Sequence, residues 1–167
     1  AMFFDMDADG DLDLYVTNYV HFSLQDYKKN KGGQGFAAYP HPDRYLAAAD
    51  LLYRNEGDGR FVDVTKAAGI DDLDGKGLGV TAIDLDGDDD LDIYVANDST
   101  PNFLFENLGN GTFADRTSSS NAGYNSDGAT EAGKGIGIGD VDGGQQGESF
   151  VTNLGLATNT RDHNPGD

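Results

Sequence analysis

The chain has no cysteine and no tryptophan among its 167 residues, and only 4 prolines. The lack of cysteine excludes disulfides, cysteine-ligated zinc sites and thiol catalysis. No apolar run approaches the roughly 20 residues that a membrane-spanning helix needs. No signal peptide is visible, and since an acidic loop already begins at Asp5, we expect any leader to lie upstream. Neither a redox site nor a membrane span is therefore predicted.

Basic residues are scarce: 11 Lys and Arg stand against 30 Asp and Glu, which gives a net charge of −19. This balance argues against binding nucleic acid or anionic membranes, because both need Lys and Arg. Glutamate is also rare, and the acids other than aspartate are Glu56, Glu106, Glu131 and Glu148. Aspartate has a short side chain that favours turns and tight oxygen cages. The acids are therefore predicted to act in loops.

What the chain does contain is glycine, 24 residues of it, and two repeated motifs. The first motif opens with Asp-x-Asp and continues into an alternating apolar stretch, and it occurs at residues 5–18, 84–97 and 140–153. The second occurs at residues 52–65 and 104–117, where two alternating stretches flank Gly-Asp-Gly or Gly-Asn-Gly. Such glycines supply the positive φ of a tight hairpin turn. Each unit is thus read as strand, acidic loop, strand, connection, strand, turn, strand.

Four strands in a unit of roughly 40–55 residues are typical of propeller blades. The fold class predicted is all-β, with about two and a half four-stranded antiparallel blades and an acidic loop between the first two strands of each. The first blade spans residues 1–70 with an insertion at 19–49, the second 71–125, and a partial third 126–167. Weak helical periodicity is confined to residues 45–52. Tyr15, Tyr94 and Phe150 share one repeat position and predict core packing.

The acidic loops have the composition of a calcium site. Calcium takes six to eight oxygens at about 2.3–2.6 Å, and alternate residues of a tight loop point inward. Carboxylates crowded this closely repel one another unless a cation lies among them. We predict carboxylates at loop positions 1, 3, 5 and 9 and a carbonyl at position 7. The predicted ligands are Asp5, Asp7, Asp9, Asp11 and Asp13 in the first loop, and Asp84, Asp86, Asp88, Asp90 and Asp92 in the second.

The third loop departs from this pattern, because Gly144 replaces the carboxylate at position 5. We expect it to bind calcium weakly or not at all. Its candidate ligands are Asp140, Asp142, Gln146 and Glu148.

An EF-hand begins with a similar loop but needs a glutamate at position 12 and flanking helices. Position 12 is valine in all three copies, namely Val16, Val95 and Val151. The residues that follow alternate as a strand does. The EF-hand interpretation is therefore rejected.

Residues 82–98, followed by the hairpin at 101–113, resemble the FG-GAP/VCBS repeat superfamily, which includes the β-propellers of integrin α chains. The resemblance is strongest to the ASPIC/UnbV and cartilage-acidic-protein-like branch. It implies a β-propeller in a secreted, extracellular or periplasmic protein. It also implies that calcium in the loop between the first two strands stabilises each blade.

The predicted function is a calcium-binding structural module for adhesion or assembly, not an enzyme, since no catalytic constellation is visible. A propeller of this kind needs more blades than the chain holds, so we expect a piece of a longer polypeptide. Alternatively, further copies complete one another through open strand edges and form a filament. A third reading is the non-catalytic part of a calcium-dependent polysaccharide-active enzyme. The partners expected are another protein or further copies, with carbohydrate as a further candidate.

Overall fold

The computed structural model describes residues 1–24, 30–31, 37–38, 41–70, 74–120, 122–139, 148–153 and 160–162. Within these ranges the chain forms strands and a single 3-10 turn, Pro42–Arg44, and contains no α-helix. No helix in the described ranges has the length and apolar character needed to cross a membrane.

The first sheet is antiparallel and has four strands in the order β1-β2-β5-β6. Phe3 pairs with Leu14, which pairs in turn with Tyr53, so these three side chains share one face. A separate two-stranded pair, β3-β4, lies within the predicted insertion. The strands are β1 (Met2–Phe4), β2 (Asp13–Val16), β3 (Asn30–Lys31), β4 (Ala37–Ala38), β5 (Leu51–Asn55) and β6 (Phe61–Asp63).

The second sheet repeats this topology, with four antiparallel strands in the order β7-β8-β9-β10. The third has three described strands in the order β11-β12-β13. Their bounds are β7 (Gly77–Ile83), β8 (Asp92–Asn97), β9 (Phe103–Asn107), β10 (Phe113–Asp115), β11 (Gly133–Gly139), β12 (Glu148–Asn153) and β13 (Thr160–Asp162).

The predicted fold class is confirmed: the structure is all-β and is built from antiparallel sheets with the blade topology. The hairpin glycines have positive φ as expected, for example +79° at Gly57 and +67° at Gly109. The helical periodicity of residues 45–52 does not produce a helix, because Leu51 and Leu52 pair with β2 as part of β5. The blade boundaries and the blade number stay predictions.

A core fills the space between the first two sheets. In the second and third sheets, we call the face that is turned toward the preceding sheet the front, and the opposite face the back. In the first sheet, the same names are given to the faces that are equivalent by repeat position. The back of the first sheet packs against the front of the second in one buried cluster, which also includes Met6 of the first acidic loop. Tyr15 and Leu52 come from the first sheet, and Ile93, Val95, Phe103, Phe105 and Phe113 come from the second. Since strands alternate, each sheet contributes every second residue.

A second core lies between the back of the second sheet and the front of the third. It contains Tyr94, Ala96 and Val151, with Ile136 packed against them. The prediction of core packing is thus right for Tyr15 and Tyr94, which are both 1% exposed, but wrong for Phe150, which is 43% exposed. Phe150 lies on the back of the third sheet, which no described segment covers.

The three repeats also meet at the sheet end opposite the acidic loops. The carboxylate of Asp98, which follows β8, accepts a hydrogen bond of 2.6 Å from the Tyr19 hydroxyl of the first repeat. It also forms a 2.7 Å ion pair with Lys134 of the third repeat. The pKa of Asp98 is lowered by these partners, although burial acts in the opposite direction. One buried carboxylate therefore joins all three repeats.

Candidate metal centres

The first acidic loop connects β1 to β2 and is folded around the Asp5 carboxylate. The amides of Asp9 and Gly10 donate to the two oxygens of Asp5 at 3.2 and 3.0 Å. Gly10 takes a φ of +91°, and Ala8 takes +56°. The left-handed conformation of Ala8 could not be predicted from the sequence, because alanine rarely adopts it.

The second acidic loop, between β7 and β8, has the same construction. Asp84 accepts hydrogen bonds from the amides of Gly87 at 2.7 Å and Asp89 at 3.1 Å. Gly87 stands where the first loop has Ala8, and Asp89 stands where it has Gly10. Asp89 has a φ of +73°, a left-handed conformation that aspartate adopts more readily than most residues.

Carboxylate oxygens converge in both loops. One oxygen each from Asp5, Asp7 and Asp13 lies within 4.8 Å of the others, and the same holds for Asp84, Asp86 and Asp88. Two oxygens bound to one calcium ion are at most about 5 Å apart, given calcium–oxygen distances of about 2.3–2.6 Å. Both triples therefore have the spacing of a calcium shell. Asp9 lies outside the first triple and Asp92 outside the second.

One oxygen in the first loop lacks a hydrogen-bond partner within the described part of the chain. The Oδ1 atom of Asp7 is buried, and no described group donates a hydrogen bond to it. A buried acceptor of this kind costs about 1–3 kcal/mol unless it is satisfied. A cation bound by the triple would satisfy it, so the donor set fits calcium.

The electrostatics of the loops favour a cation as well. Burial, followed by the charges of Asp9 and Asp5, raises the pKa of Asp7. Burial and the charge of Asp88 raise the pKa of Asp86 in the same way. A bound divalent ion would favour the ionised form of each carboxylate and offset this repulsion.

The aspartate at position 9 has a second role, which is to fasten each loop to the third strand of its sheet. The two oxygens of Asp13 accept the amides of Met6 and Asn55, both at 2.8 Å. In the second loop, Asp92 accepts the amides of Leu85 at 2.9 Å and Asn107 at 2.8 Å. Burial raises the pKa of Asp92 to about 6. Each carboxylate oxygen keeps a further lone pair for a metal ion.

The side chains at position 7 point away from the triples. A Cβ atom added to Gly57 would lie 2.8 Å from Asp11 Oδ2, and one added to Gly109 would lie 2.6 Å from Asp90 Oδ2. Both carboxylates thus lie against the hairpin of their own sheet. This arrangement agrees with a position that offers its carbonyl to the metal.

A model of the FG-GAP-like repeat matches residues 5–95 and 84–143, which together include both acidic loops and both hairpins. The chain belongs to the FG-GAP-like repeat family. It is 36% identical to cartilage acidic protein 1 of Xenopus tropicalis over a segment covering 46% of this chain and 13% of that protein. It is 39% identical to cartilage acidic protein 1 of Homo sapiens over 34% of this chain and 8% of that protein. The chain thus spans no more than 13% of the length of these relatives.

In this FG-GAP-like chain, an asparagine that sequence reasoning missed connects consecutive repeats. The side-chain amide of Asn107 donates to the carbonyl of Met6 at 3.0 Å and to that of Leu91 at 3.2 Å. Met6 belongs to the first acidic loop and Leu91 to the second. The repeat equivalent, Asn55, bonds only within its own sheet, to the carbonyl of Leu12 at 3.2 Å. The recurrence of asparagine two residues before the hairpin glycine was the available signal.

Asn107→Ala is expected to destabilise the protein by about 2 kcal/mol, because it leaves two carbonyls at the base of the acidic loops without a donor. Asn55→Ala is the matched control, and it should cost less than about 1 kcal/mol since its amide is exposed. Urea unfolding of both variants measures the difference. Equal losses would mean that the hydrogen bond between the repeats contributes nothing to the free energy of unfolding.

The third acidic loop falls largely outside the described part of the chain. Asp140, Asp142 and Gln146 are not among the described residues, and Glu148 is described only as the first residue of β12. Its weak or absent metal binding therefore stays a prediction.

Proposed function

We propose that this chain is a calcium-stabilised structural module of an extracellular protein, with one ion in each of the first two acidic loops. The observation that carries the proposal is the buried, unpartnered Oδ1 of Asp7 within a triple of converging carboxylates. Asp5, Asp7 and Asp13 would hold the first ion, and Asp84, Asp86 and Asp88 the second. The ion offsets the repulsion within each loop and fixes the connection between the first two strands.

Two considerations support an extracellular setting. Calcium sites of extracellular modules work at dissociation constants of about 10⁻⁴–10⁻³ M, and partly exposed loops of this kind suit that range. The curated relatives carry a name that refers to cartilage. Adhesion or assembly is the role that we assign to such a module.

The groove beside the second loop has a volume of about 220 Å³, and its lining agrees with a structural role. Arg116 lies in its wall, but Glu106 pairs with that guanidinium at 2.6 and 3.0 Å. Ser119 and Ser120 also line it, and no histidine is among its described lining residues. The hydroxyls of both serines donate to the carbonyl of Arg116. None of these groups is arranged as an activated nucleophile.

Thermal unfolding with and without calcium tests the proposal. At free calcium of about 100 times the dissociation constant, each occupied loop adds about 2.7 kcal/mol to the free energy of unfolding. We expect a higher Tm in calcium than in chelator, a smaller shift in magnesium, and a calorimetric stoichiometry of two ions.

Asp7→Asn should abolish the contribution of the first loop to the stabilisation by calcium, because the amide has the size of the carboxylate but no charge. Asp58→Asn, at an exposed hairpin tip, is the matched control and should bind both ions. Identical melting curves in calcium and in chelator would refute the proposal.

A further inference from the structure

The front face of the first sheet is the repeat equivalent of a face that is buried elsewhere in the molecule. On the second sheet, Ile93, Phe105 and Phe113 of the front face are at most 5% exposed, because the back of the first sheet covers them. Within the chain, a front face is therefore covered by the back face of another sheet of the same kind.

On the first sheet, the corresponding side chains are exposed. Phe3 is 59% exposed, Leu12 54% and Phe61 39%. Their equivalents in the second repeat are Ala82, Leu91 and Phe113, all of which pack into the core. The rings of Phe3 and Phe61 lie 6.4 Å apart, so these two exposed side chains form one patch, and Leu12 lies on the same face. An apolar patch of this kind on a sheet face marks an interaction site.

Among the described residues, nothing covers the back of the third sheet either. Phe150 is 43% exposed there, at the repeat position where Tyr15 and Tyr94 fill a core. It pairs with Gly137, and a Cβ atom added to Gly137 or Gly139 would meet nothing within 4 Å. On the β11 side, the surface next to Phe150 is therefore a flat strip of backbone, while Arg161 of β13 pairs with Phe150 on its other side.

The chain contains one example of how such a strip is covered. Gly79 lies on the back of β7, and a Cβ atom there would lie 3.1 Å from the Lys134 carbonyl and 3.4 Å from Ile136 of β11. A glycine on the back of one sheet thus allows the first strand of the next sheet to approach closely. Gly135 holds the same repeat position as Gly79, and Phe3 holds the same position as Ile138. The bulky front of the first sheet is thus complementary to the flat back of the third.

We propose that copies of this chain associate head to tail, with the front of the first sheet of one copy packed on the back of the third sheet of another. Phe3, Leu12 and Phe61 are the contact residues of one surface, and Phe150 with its neighbouring glycine strand forms the other. The contact continues the packing already present between the sheets within one chain. Because its two surfaces differ, it is heterologous and generates a ring or a filament. It uses sheet faces, and not the open strand edges expected from the sequence.

Sedimentation velocity over a range of concentrations, in calcium and about 0.15 M salt, tests this association. Salt is needed because a chain with a net charge of −19 repels its own copies. The wild-type chain should form larger species as its concentration rises. Leu12→Ser combined with Phe61→Ser, and separately Phe150→Ser, should each weaken association about tenfold or more, as expected for a lost interface anchor. Leu24→Ser, at a site that is 89% exposed and lies outside the strands of the sheets, should leave it unchanged.

Mixing the two defective variants gives the sharpest result. Each retains one intact face, so an equimolar mixture should form a one-to-one heterodimer and nothing larger. Wild-type chain that is monomeric at every concentration would overturn the proposal, as would a Phe150→Ser variant that assembles like the wild type. Melting curves of each variant confirm that it is folded. Because association and calcium binding have separate readouts, either proposal can fail while the other stands.

Discussion

Asp92→Ala is expected to lower the free energy of unfolding by about 4 kcal/mol in calcium-free buffer. Asp92 is 2% exposed, and its carboxylate accepts hydrogen bonds from the amides of Leu85 and Asn107. Its removal takes the carboxylate acceptor away from both amides, which costs about 1–3 kcal/mol each. In calcium the loss should grow by about 2.7 kcal/mol if the second loop can no longer hold its ion. Urea unfolding with and without calcium measures both parts.

Asp90→Ala serves as the control for this change. It removes a carboxylate from the same loop, but this one lies against the hairpin and leaves the position-7 carbonyl in place. We expect a loss below about 1 kcal/mol and an unchanged calcium response. If Asp92→Ala fails to fold, Asp92→Asn keeps the volume and one acceptor and gives an intermediate value. Equal effects at Asp90 and Asp92 would contradict the role assigned to position 9.

Phe113→Ala is expected to cost about 3–5 kcal/mol, as is usual for a phenylalanine removed from a core. Phe113 is 5% exposed and packs between the first and second sheets, so its loss opens a cavity there. Thermal and urea unfolding at low protein concentration give the value for the single chain.

Phe61→Ala is the matched substitution at the same repeat position. Phe61 is 39% exposed on the free front of the first sheet, and the cost in a dilute monomer should stay below about 1 kcal/mol. A large loss at Phe61 under these conditions would show that the front face is already covered within a single chain.

The parts of this structure that the sequence predicts are the local ones. The acidic loops and the hairpins depend on residues within a few positions of one another, and Gly57 and Gly109 have the conformations expected of them. The topology of each sheet followed from the order of these motifs, since each motif implies a particular type of connection.

What the sequence did not predict depends on residues far apart in the chain. The bond between Asn107 and Met6 joins positions 101 residues apart. The recurrence of the asparagine is visible in the sequence, but no local pattern identifies Met6 as its partner. Phe61 and Phe113 occupy one repeat position, yet only Phe113 is buried, because burial depends on the sheet that lies opposite. The exposure of Phe150 was missed for the same reason.

The repeats are tied at both ends of their sheets, by Asn107 at the acidic loops and by Asp98 at the other end. In a linear array that touches only through nearest neighbours, a terminal unit can melt while the rest stays folded. Here the first repeat cannot unfold without breaking hydrogen bonds at both ends of the second sheet. Asp98 also connects the first repeat indirectly to the third. We therefore expect a few polar contacts, as well as the core, to make the described repeats unfold together in one cooperative transition.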